Sequence, residues 1–256
     1  MRFVRYQANN ESNVHQGWIY NDLVGEIEGN IFGEFRRLEA NLPLYTVRIR
    51  PPVVPGKIIA CEWNYLDQTR EFGRMIEDVP TIFYKPTSSV IGMNDPIVLP
   101  VISSRVEQEC ELAVVIGKKI RSVLPENAFD AIFGYTIAND VTARDLQMSD
   151  ETWVRAKGFD TFCPLGPLIE TDFEPADALL TCRVNDELRQ MASTRDMLFP
   201  VQNLVAYISS IMTLNPGDVI LTGTPVGSSP LFPGDVVASI IDGIGELTNP
   251  VQAQTN

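Results

Sequence analysis

Three glutamates stand at every second position of one segment, immediately before an apolar run. Glu107, Glu109 and Glu111 precede the apolar residues 112–116. Because strand side chains alternate between the two faces, we expect the three carboxylates to share one face. Neighbouring carboxylates repel one another, and a hard divalent cation that binds their oxygens removes that repulsion. The pattern indicates a metal site; the alternative is a solvated strand face, where water makes the repulsion cheap.

A second segment, residues 135–147, combines an acid, a guanidinium and an amide. It predicts a strand that turns into a helix at Asn139 or Asp140. On that helix, Asp140, Arg144 and Gln147 follow the spacing i, i+4, i+7 and share one face. An arginine there can bind a carboxylate through two parallel hydrogen bonds. The alternatives are a simple N-cap and a surface Asp–Arg pair.

The charge balance restricts the partners. The 256 residues include 33 acidic and 20 basic side chains, a net charge of −13. This composition argues against a nucleic-acid binder and against a partner of anionic membranes. An acidic protein that binds an anionic substrate must reverse its field locally, with a metal ion or with a few arginines and lysines.

Other chemistries are limited by residue type. The single histidine, His15, excludes a histidine-based metal site and a Ser-His-Asp triad. The four cysteines are widely spaced, as expected for thiols of a reducing compartment. Residues 1–16 lack the apolar core of a signal peptide, and no apolar stretch approaches the ~18 residues of a membrane span. We therefore expect a cytoplasmic protein without membrane or nucleic-acid partners.

The periodicity predicts a mainly β fold with some helix (α+β). Prolines in residues 50–56 suggest a boundary, which divides the chain into a small N-terminal β-rich domain (1–52) and a catalytic domain (53–256). Strands are predicted at 3–6, 17–20, 57–61, 112–116 and 135–138, and helices at 66–75, 125–133 and 201–212. The C-terminal third is predicted to be a β-meander whose Pro-Gly-Asp sequences, 216–218 and 233–235, form type II turns.

Several of these segments, in order, resemble the fumarylacetoacetate hydrolase superfamily, in its branch of hydroxyheptadienedioate isomerases, acylpyruvate hydrolases and oxaloacetate decarboxylases. The similar stretches are 64–65 with Glu71, 83–86, 109–117, 134–136, 139–147, Trp153 with 156–160, 223–225 and 243–249. The resemblance implies a β-sandwich roll in the catalytic domain, a homodimer, and Mg²⁺ or Mn²⁺ bound by Glu109, Glu111 and Asp140. Glu107 is not a ligand on this mapping.

The resemblance also implies an activity and further site residues. It places Arg144, Gln147 and Thr224 in the substrate pocket and makes Lys157 catalytic, either as a positive charge beside an oxyanion or as a proton shuttle. A 2-oxo acid can chelate a metal through its carboxylate and keto oxygen, so that an enolate is stabilised. C–C cleavage by hydrolysis or decarboxylation and keto–enol isomerisation all pass through that enolate, and the sequence leaves the three open.

One departure from the family bears on hydrolysis. Many members carry a histidine three residues before a glutamate, and here Gln68 stands three residues before Glu71. Glutamine cannot take a proton near neutral pH, whereas histidine can. Gln68 and Glu71 remain candidates for the catalytic set, with water or substrate oriented by the amide. The alternatives are an altered protein with a biosynthetic or ligand-binding role, and a structural β-protein with acidic surface strands.

Overall fold

The computed structural model describes residues 1–9 and 11–255. The described strands are β1 (Arg2–Ala8), β2 (His15–Tyr20), β3 (Leu23–Gly29), β4 (Phe35–Pro43), β5 (Val47–Arg50), β6 (Ile58–Glu62), β7 (Thr81–Lys85), β8 (Val90–Ile91), β9 (Ile97–Leu99), β10 (Val106–Glu107), β11 (Cys110–Ile116), β12 (Ile132–Asn139), β13 (Thr142–Ala143), β14 (Cys163–Glu170), β15 (Leu179–Val184), β16 (Glu187–Ser193), β17 (Val219–Leu221), β18 (Val236–Ile241) and β19 (Gly245–Ala253). The α-helices are α1 (Leu66–Glu71), α2 (Arg144–Ser149), α3 (Val154–Lys157) and α4 (Val201–Ile211).

Most strands belong to two sheets. The larger sheet has the order β4-β3-β2-β1-β14-β12-β11-β17-β6-β7, with β5 added to β1 and β8 added to β14. A five-stranded sheet has the order β16-β15-β18-β19-β9, and β10 pairs separately with β13. The predicted mainly β, α+β fold is therefore confirmed.

Strand β11 lies in the middle of the larger sheet, and all seven of its residues are buried. Its alternating side chains supply two cores, because Leu112 and Val114 belong to one apolar cluster whereas Ala113 and Val115 belong to the other. Apolar side chains on both faces explain the continuous hydrophobic run in the sequence. The side chain of Glu111 therefore lies on the same face of β11 as that of Ala113, next to the buried apolar cluster to which Ala113 belongs.

The two predicted Pro-Gly turns adopt the required backbone. Gly217 has φ +86° and Gly234 has φ +97°. A positive φ at the second central residue is what a type II turn needs, and glycine adopts it without strain. The turn at Gly234 leads into β18, which pairs with β19 as an antiparallel hairpin.

Several boundaries differ from the predictions. Residues 125–133 form two short 3-10 turns and the start of β12 instead of a helix, so that prediction is wrong. The predicted helix at 66–75 ends at Glu71. The helix predicted to begin at Asn139 or Asp140 begins at Arg144, because β13 intervenes and pairs with β10. Asp140 and Arg144 therefore do not share a helical face, and that part of the prediction is wrong.

The N-terminal strands extend the larger sheet. β1 pairs with β14 through Arg2 and Phe3, and β2 to β4 follow in antiparallel succession. The division into 1–52 and 53–256 stays a prediction. Across the described residues, no helix combines the length and apolarity needed to cross a lipid bilayer.

Candidate active site

The register of β11 and β12 brings two of the predicted metal ligands together. Cys110 pairs with Asn139, so the residues that flank this pair, Glu109 and Asp140, meet at the strand ends. The backbone N–H of Asp140 donates to the carbonyl of Glu109 at 2.8 Å, and the backbone N–H of Glu109 donates to Asn139 Oδ1 at 2.9 Å. These bonds fix two carboxylates from separate segments beside each other.

A third carboxylate comes from β6. Glu62 ends this wholly buried strand, and its carboxylate converges with those of Glu109 and Asp140. One oxygen from each of the three lies within 4.8 Å of the others. All three residues are at least 97% buried, and Glu62 Oε1 has no hydrogen-bond partner among the described residues. The trio offers the oxygen donors that hard divalent cations prefer.

Glu111, the other predicted ligand, is buried beside this trio. Its Oε2 accepts a hydrogen bond from the backbone N–H of Gly223 at 2.6 Å. There are therefore two candidate sets of metal ligands. Both contain Glu109 and Asp140, and the third ligand is Glu111 in the predicted set and Glu62 in the convergent trio. The assignment of Glu111 stays a prediction, and Glu62 is a candidate that the sequence analysis missed.

Lys157 lies among these carboxylates. It ends α3, and its Nζ is 2.7 Å from Glu109 Oε2, 2.7 Å from Asp140 Oδ2 and 3.3 Å from Glu62 Oε2. The ammonium also lies 4.9 Å from the ring centroid of Phe83, within cation–π range. A fully buried lysine held by three acids and one aromatic face is placed for chemistry at the point where the acids converge.

A second buried lysine is hydrogen-bonded to the backbone of Lys157. Lys85 ends β7, and its Nζ is 2.6 Å from Asp140 Oδ1 and donates to the backbone carbonyl of Lys157 at 2.7 Å. One ammonium thus binds both a candidate metal ligand and the backbone that carries Lys157. The sequence analysis gave Lys85 no role, although it lies in the motif at 83–86.

Arg144 and Gln147, both on α2, contact the carboxylates of this cluster. Arg144 donates from Nε to Glu107 Oε2 at 2.8 Å, from Nη1 to Gln147 Oε1 at 2.5 Å, and from Nη2 to Glu109. Gln147 Nε2 donates to Glu62 Oε2 at 3.3 Å. Glu107 does not belong to the convergent trio; it accepts from the guanidinium of Arg144, and its exclusion from the metal ligands stays a prediction.

The charges of this cluster leave an excess of carboxylates over cations. Five carboxylates (Glu62, Glu107, Glu109, Glu111, Asp140) and the four cations bound to them (Lys85, Arg105, Arg144, Lys157) leave a net charge of −1 when all are ionised. Burial, together with the charges of Glu109 and Asp140, raises the pKa of Glu62 to about 7 and that of Glu111 well above its ordinary value. Two carboxyl groups therefore favour protons in the absence of a cation.

The other shifted groups favour their charged forms. Burial alone would lower the pKa of Lys157, but the charges of Asp140, Glu109 and Glu62 outweigh burial and raise it above the usual lysine value. Burial would raise the pKa of Asp140, yet Lys157 and Lys85 hold it below its usual range. With its pKa raised, Lys157 is an ammonium, which can donate a hydrogen bond but cannot accept a proton.

A cavity of about 700 Å³ opens above the cluster. Arg144 and Gln147 line its inner end, and Trp63 and Phe72 line a wall near α1. The Phe72 ring lies 5.1 Å from that of Trp63 and 5.2 Å from Arg144 Cζ. The segment after α1 therefore contacts Arg144 and borders the cavity.

The remaining predicted residues have different surroundings. Gln68 is 99% buried on α1, and neither its Nε2 nor its Oε1 has a hydrogen-bond partner among the described residues. Glu71 lies exposed at the end of the same helix, and no described hydrogen bond or ion pair joins it to the cluster. Thr224 is buried; its hydroxyl donates to the carbonyl of Cys110 and accepts from Gln190 Nε2, both at 2.8 Å. The roles of all three stay predictions.

The two missed residues carried weak signals. Glu62 follows four apolar residues of a predicted strand, and an acid at the end of a buried strand is unusual unless it is paired. Lys85 ends a short strand just before a proline. Neither position has a spacing relation to residues 109–147, so only the sheet order could bring them to the site.

Fold and site together define a β-rich protein with a buried acidic centre suited to a hard divalent cation. A sequence model of the family described as fumarylacetoacetate (FAA) hydrolase C-terminal matches residues 57–252. A second family model, described as Rv2993c-like, N-terminal, matches residues 1–52. The chain therefore belongs to the fumarylacetoacetate hydrolase family.

Three relatives illustrate its range. Oxaloacetate tautomerase fahd2, mitochondrial, from Xenopus laevis is 44% identical over 215 residues, 79% of this chain and 67% of that protein. The structure of 5-carboxymethyl-2-hydroxymuconate delta-isomerase from Mycobacterium smegmatis has a TM-score of 0.92 and 42% identity, covering 99% of this chain and 100% of that one. Maleylpyruvate hydrolase from Sphingobium sp. SYK-6, solved with manganese(II) and pyruvate, has a TM-score of 0.82 and 31% identity, with 100% of both chains covered.

Proposed function

We propose that this protein is a divalent-metal-dependent enzyme that interconverts the keto and enol forms of a small 2-oxo acid. The observation that carries the proposal is the convergence of Glu62, Glu109 and Asp140 around the ammonium of Lys157. The relatives named as a tautomerase and an isomerase support the reaction type, and the first of them makes oxaloacetate the substrate to test.

The donor set supports Mg²⁺ or Mn²⁺ as the cofactor. Glu109 and Asp140 would hold the ion with Glu111 or Glu62, and the unpartnered Oε1 of Glu62 and the excess of carboxylates over cations fit a bound dication. The bound ion would supply Lewis-acid chemistry, drawing electron density from the keto oxygen of the substrate.

The side chains of this chain supply the remaining functions. Arg144 and Gln147 lie at the inner end of the cavity, where a guanidinium and an amide can orient a substrate carboxylate. Lys157 is an ammonium with no exposure to solvent, so it can donate to an oxygen that gains negative charge in the transition state. A water-poor site strengthens both interactions.

Gln68 favours isomerisation over hydrolysis. Hydrolysis of a C–C bond needs a base that activates water, and a glutamine amide cannot take that proton. Keto–enol exchange needs no water nucleophile, but a proton must still move to and from carbon, and Glu62, whose pKa is raised to about 7, is suited to carry it. The unpartnered amide of buried Gln68 is suited to a hydrogen bond with a water or a substrate carbonyl instead.

The test follows the loss of the enol form of oxaloacetate by ultraviolet absorbance. We expect the Mn²⁺-loaded protein to accelerate this loss over the same Mn²⁺ concentration alone, and chelation to remove the acceleration. Lys157→Met should lower the rate constant by about 100-fold, whereas exposed Lys119→Met should not change it. An enol decay rate equal to that of the metal blank, with Mn²⁺ bound, would reject the tautomerase proposal.

C–C cleavage, by hydrolysis or decarboxylation, is the second candidate, because the matched family and one neighbour are named for hydrolases. Gln68→His tests it on acylpyruvates. A gain in hydrolysis would mean that water activation is what the glutamine removes. No gain would mean that the pocket differs from a hydrolase at other positions too.

Two further expectations belong to the proposal. The protein is expected to be a cytoplasmic homodimer, with no nucleic-acid or membrane partner. Light scattering coupled to size-exclusion chromatography would separate a dimer from the 28.5 kDa monomer.

A further inference from the structure

Three arginines line the cavity above the carboxylate cluster, in a chain whose net charge is −13. Arg144 is buried and contacts Glu109, whereas Arg74 and Arg105 are exposed and, in the described part of the chain, form no ion pair with the convergent trio. Clefts lined by one sign of charge concentrate ligands of the opposite sign. The proposed function uses Arg144 alone, which leaves two guanidinium groups near the entrance without a role.

Arg105 is held in place by an acid that it shares with Arg144. Its Nε donates to Glu107 Oε1 at 2.6 Å, while Arg144 Nε donates to Glu107 Oε2 at 2.8 Å. The side chain of Arg105 remains 53% exposed, and among the described residues its Nη1 and Nη2 atoms have no acceptor. Glu107 thus orients one guanidinium towards the cluster and anchors another that keeps free donors.

Arg74 is held by stacking. Its Cζ lies 5.1 Å from the ring centroid of Trp63. The Trp63 ring packs at 60° against that of Phe72, which in turn lies against the guanidinium of Arg144. No carboxylate within the described part of the chain forms an ion pair with Arg74. A guanidinium on an aromatic face keeps its edge donors free for a planar anion.

The acidic residues that line the same cavity do not cancel these cations. Asp150 already accepts two hydrogen bonds from Arg155, at 2.8 Å from Nε and 2.5 Å from Nη2. Glu151 is exposed, where water screens its charge. Neither acid forms an ion pair with Arg74 within the described residues, so its guanidinium donors remain available to an anion.

We propose that Arg74 and Arg105 bind the second carboxylate of a dicarboxylic 2-oxo acid and so set the preference of this enzyme for dicarboxylates over monocarboxylates. The inference rests on the proposed function, which places the 2-oxo-carboxylate end of the substrate at the inner end of the cavity. The two arginines add a requirement that the buried cluster does not impose: a negative charge at the far end of the substrate.

The test compares two acids that differ only in the second carboxylate, oxaloacetate and pyruvate. Dissociation constants are measured by stopped-flow tryptophan fluorescence of the Mn²⁺-loaded protein, because Trp63 and Trp153 line the cavity. We expect Arg74→Gln and Arg105→Gln each to weaken oxaloacetate binding by about 10-fold or more, as for the loss of a charge-assisted hydrogen bond, and to change pyruvate binding less than 2-fold. Arg74→Lys should recover part of the loss.

Arg70→Gln is the matched control, because Arg70 is an exposed arginine of α1 that does not line the cavity. Unchanged thermal unfolding of each variant would show that the effects are not caused by misfolding. Equal losses for both acids, or no loss for oxaloacetate, would overturn the proposal. Because the readout is binding, the preference can be measured even if the wild-type protein fails the tautomerase assay, so the two proposals can fail separately.

Discussion

Two regions of the molecule contain ion pairs with nearly equal N–O distances, but one pair is exposed to solvent and the other is buried. On the N-terminal strands, Arg36 Nη2 lies 2.6 Å from Glu28 Oε2, with the side chains 72% and 54% exposed. In the site, Lys157 Nζ lies 2.7 Å from Glu109 Oε2, and both side chains are at most 1% exposed. The geometry is alike, and only the access of water differs.

Water decides what each pair can do. Exposed pairs exchange one set of hydrogen bonds for another and contribute about 0–1 kcal/mol. Buried charges lose their hydration, so each must be offset by several partners, and removing one partner costs about 3–5 kcal/mol. Lys157 accordingly has three carboxylates around it, whereas Arg36 has one. Water screens the acidic excess at the surface, whereas the buried carboxylates of the site are suited to a cation.

Lys157→Met is expected to have the largest effect on folding. It leaves the buried carboxylates of Glu109 and Asp140 with less compensating charge, so the free energy of unfolding of the chelated protein should fall by about 3–5 kcal/mol. Urea denaturation measures it, with exposed Lys119→Met as the control. Excess Mn²⁺ should restore more stability to the variant than to the wild type. A loss under about 0.5 kcal/mol would mean that the buried pairs behave like surface pairs.

Glu109→Gln should lower the affinity for Mn²⁺ by about 100-fold or more, because even residues that only support a ligand typically account for 10–100-fold. Isothermal calorimetry provides the dissociation constants. Glu28→Gln is the matched control, since it removes the same charge from an exposed pair and should leave affinity unchanged. Equal affinities for wild type and Glu109→Gln would remove Glu109 from the metal site.

Arg36→Ala should change the free energy of unfolding by about 0.5 kcal/mol or less. Urea denaturation at low and high salt measures the change, which should shrink further as salt screens the pair with Glu28. A loss of about 2 kcal/mol or more would show that burial does not separate the two regions.

The smallest effect concerns His15, the single histidine. Its hydrogen bond to Glu26 raises its pKa, burial opposes the rise, and the hydrogen bond to Glu11 adds to it. Since the folded pKa lies above the unfolded value of about 6.5, the protonated pair stabilises the fold below pH 6.5 and loses that effect as pH rises through the folded pKa. NMR titration should return a value above 6.5 that falls in Glu26→Gln. An unshifted pKa in the wild type would contradict the pairing.

Local sequence patterns predicted the strands well. The run at 112–116 reads as a buried strand because both faces of β11 are apolar, and the helix at 201–212 follows its periodicity to within one residue. The prediction of a helix at 125–133 was wrong, because these residues form two 3-10 turns and the start of β12. Pairing with neighbouring strands determines the position of β12. Propensity cannot anticipate such pairing.

The candidate site was predictable only in part. Glu109 and Asp140 could be paired because a family resemblance relates their segments, and the register of β11 with β12 explains the meeting physically. Glu62 and Lys85 are far from both in sequence and reach the site through the order of the large sheet, β11-β17-β6-β7. No local pattern encodes that order. The free guanidinium of Arg74 likewise depends on stacking between separate segments.

Anomalous diffraction from crystals soaked in Mn²⁺ would show whether these carboxylates bind a metal ion. We expect one strong manganese peak in contact with carboxylate oxygens of Glu109 and Asp140, and the same map decides whether Glu62 or Glu111 completes the set. A map with excess Mn²⁺ that shows no peak there, with Lys157 still bound to both acids, would contradict this expectation.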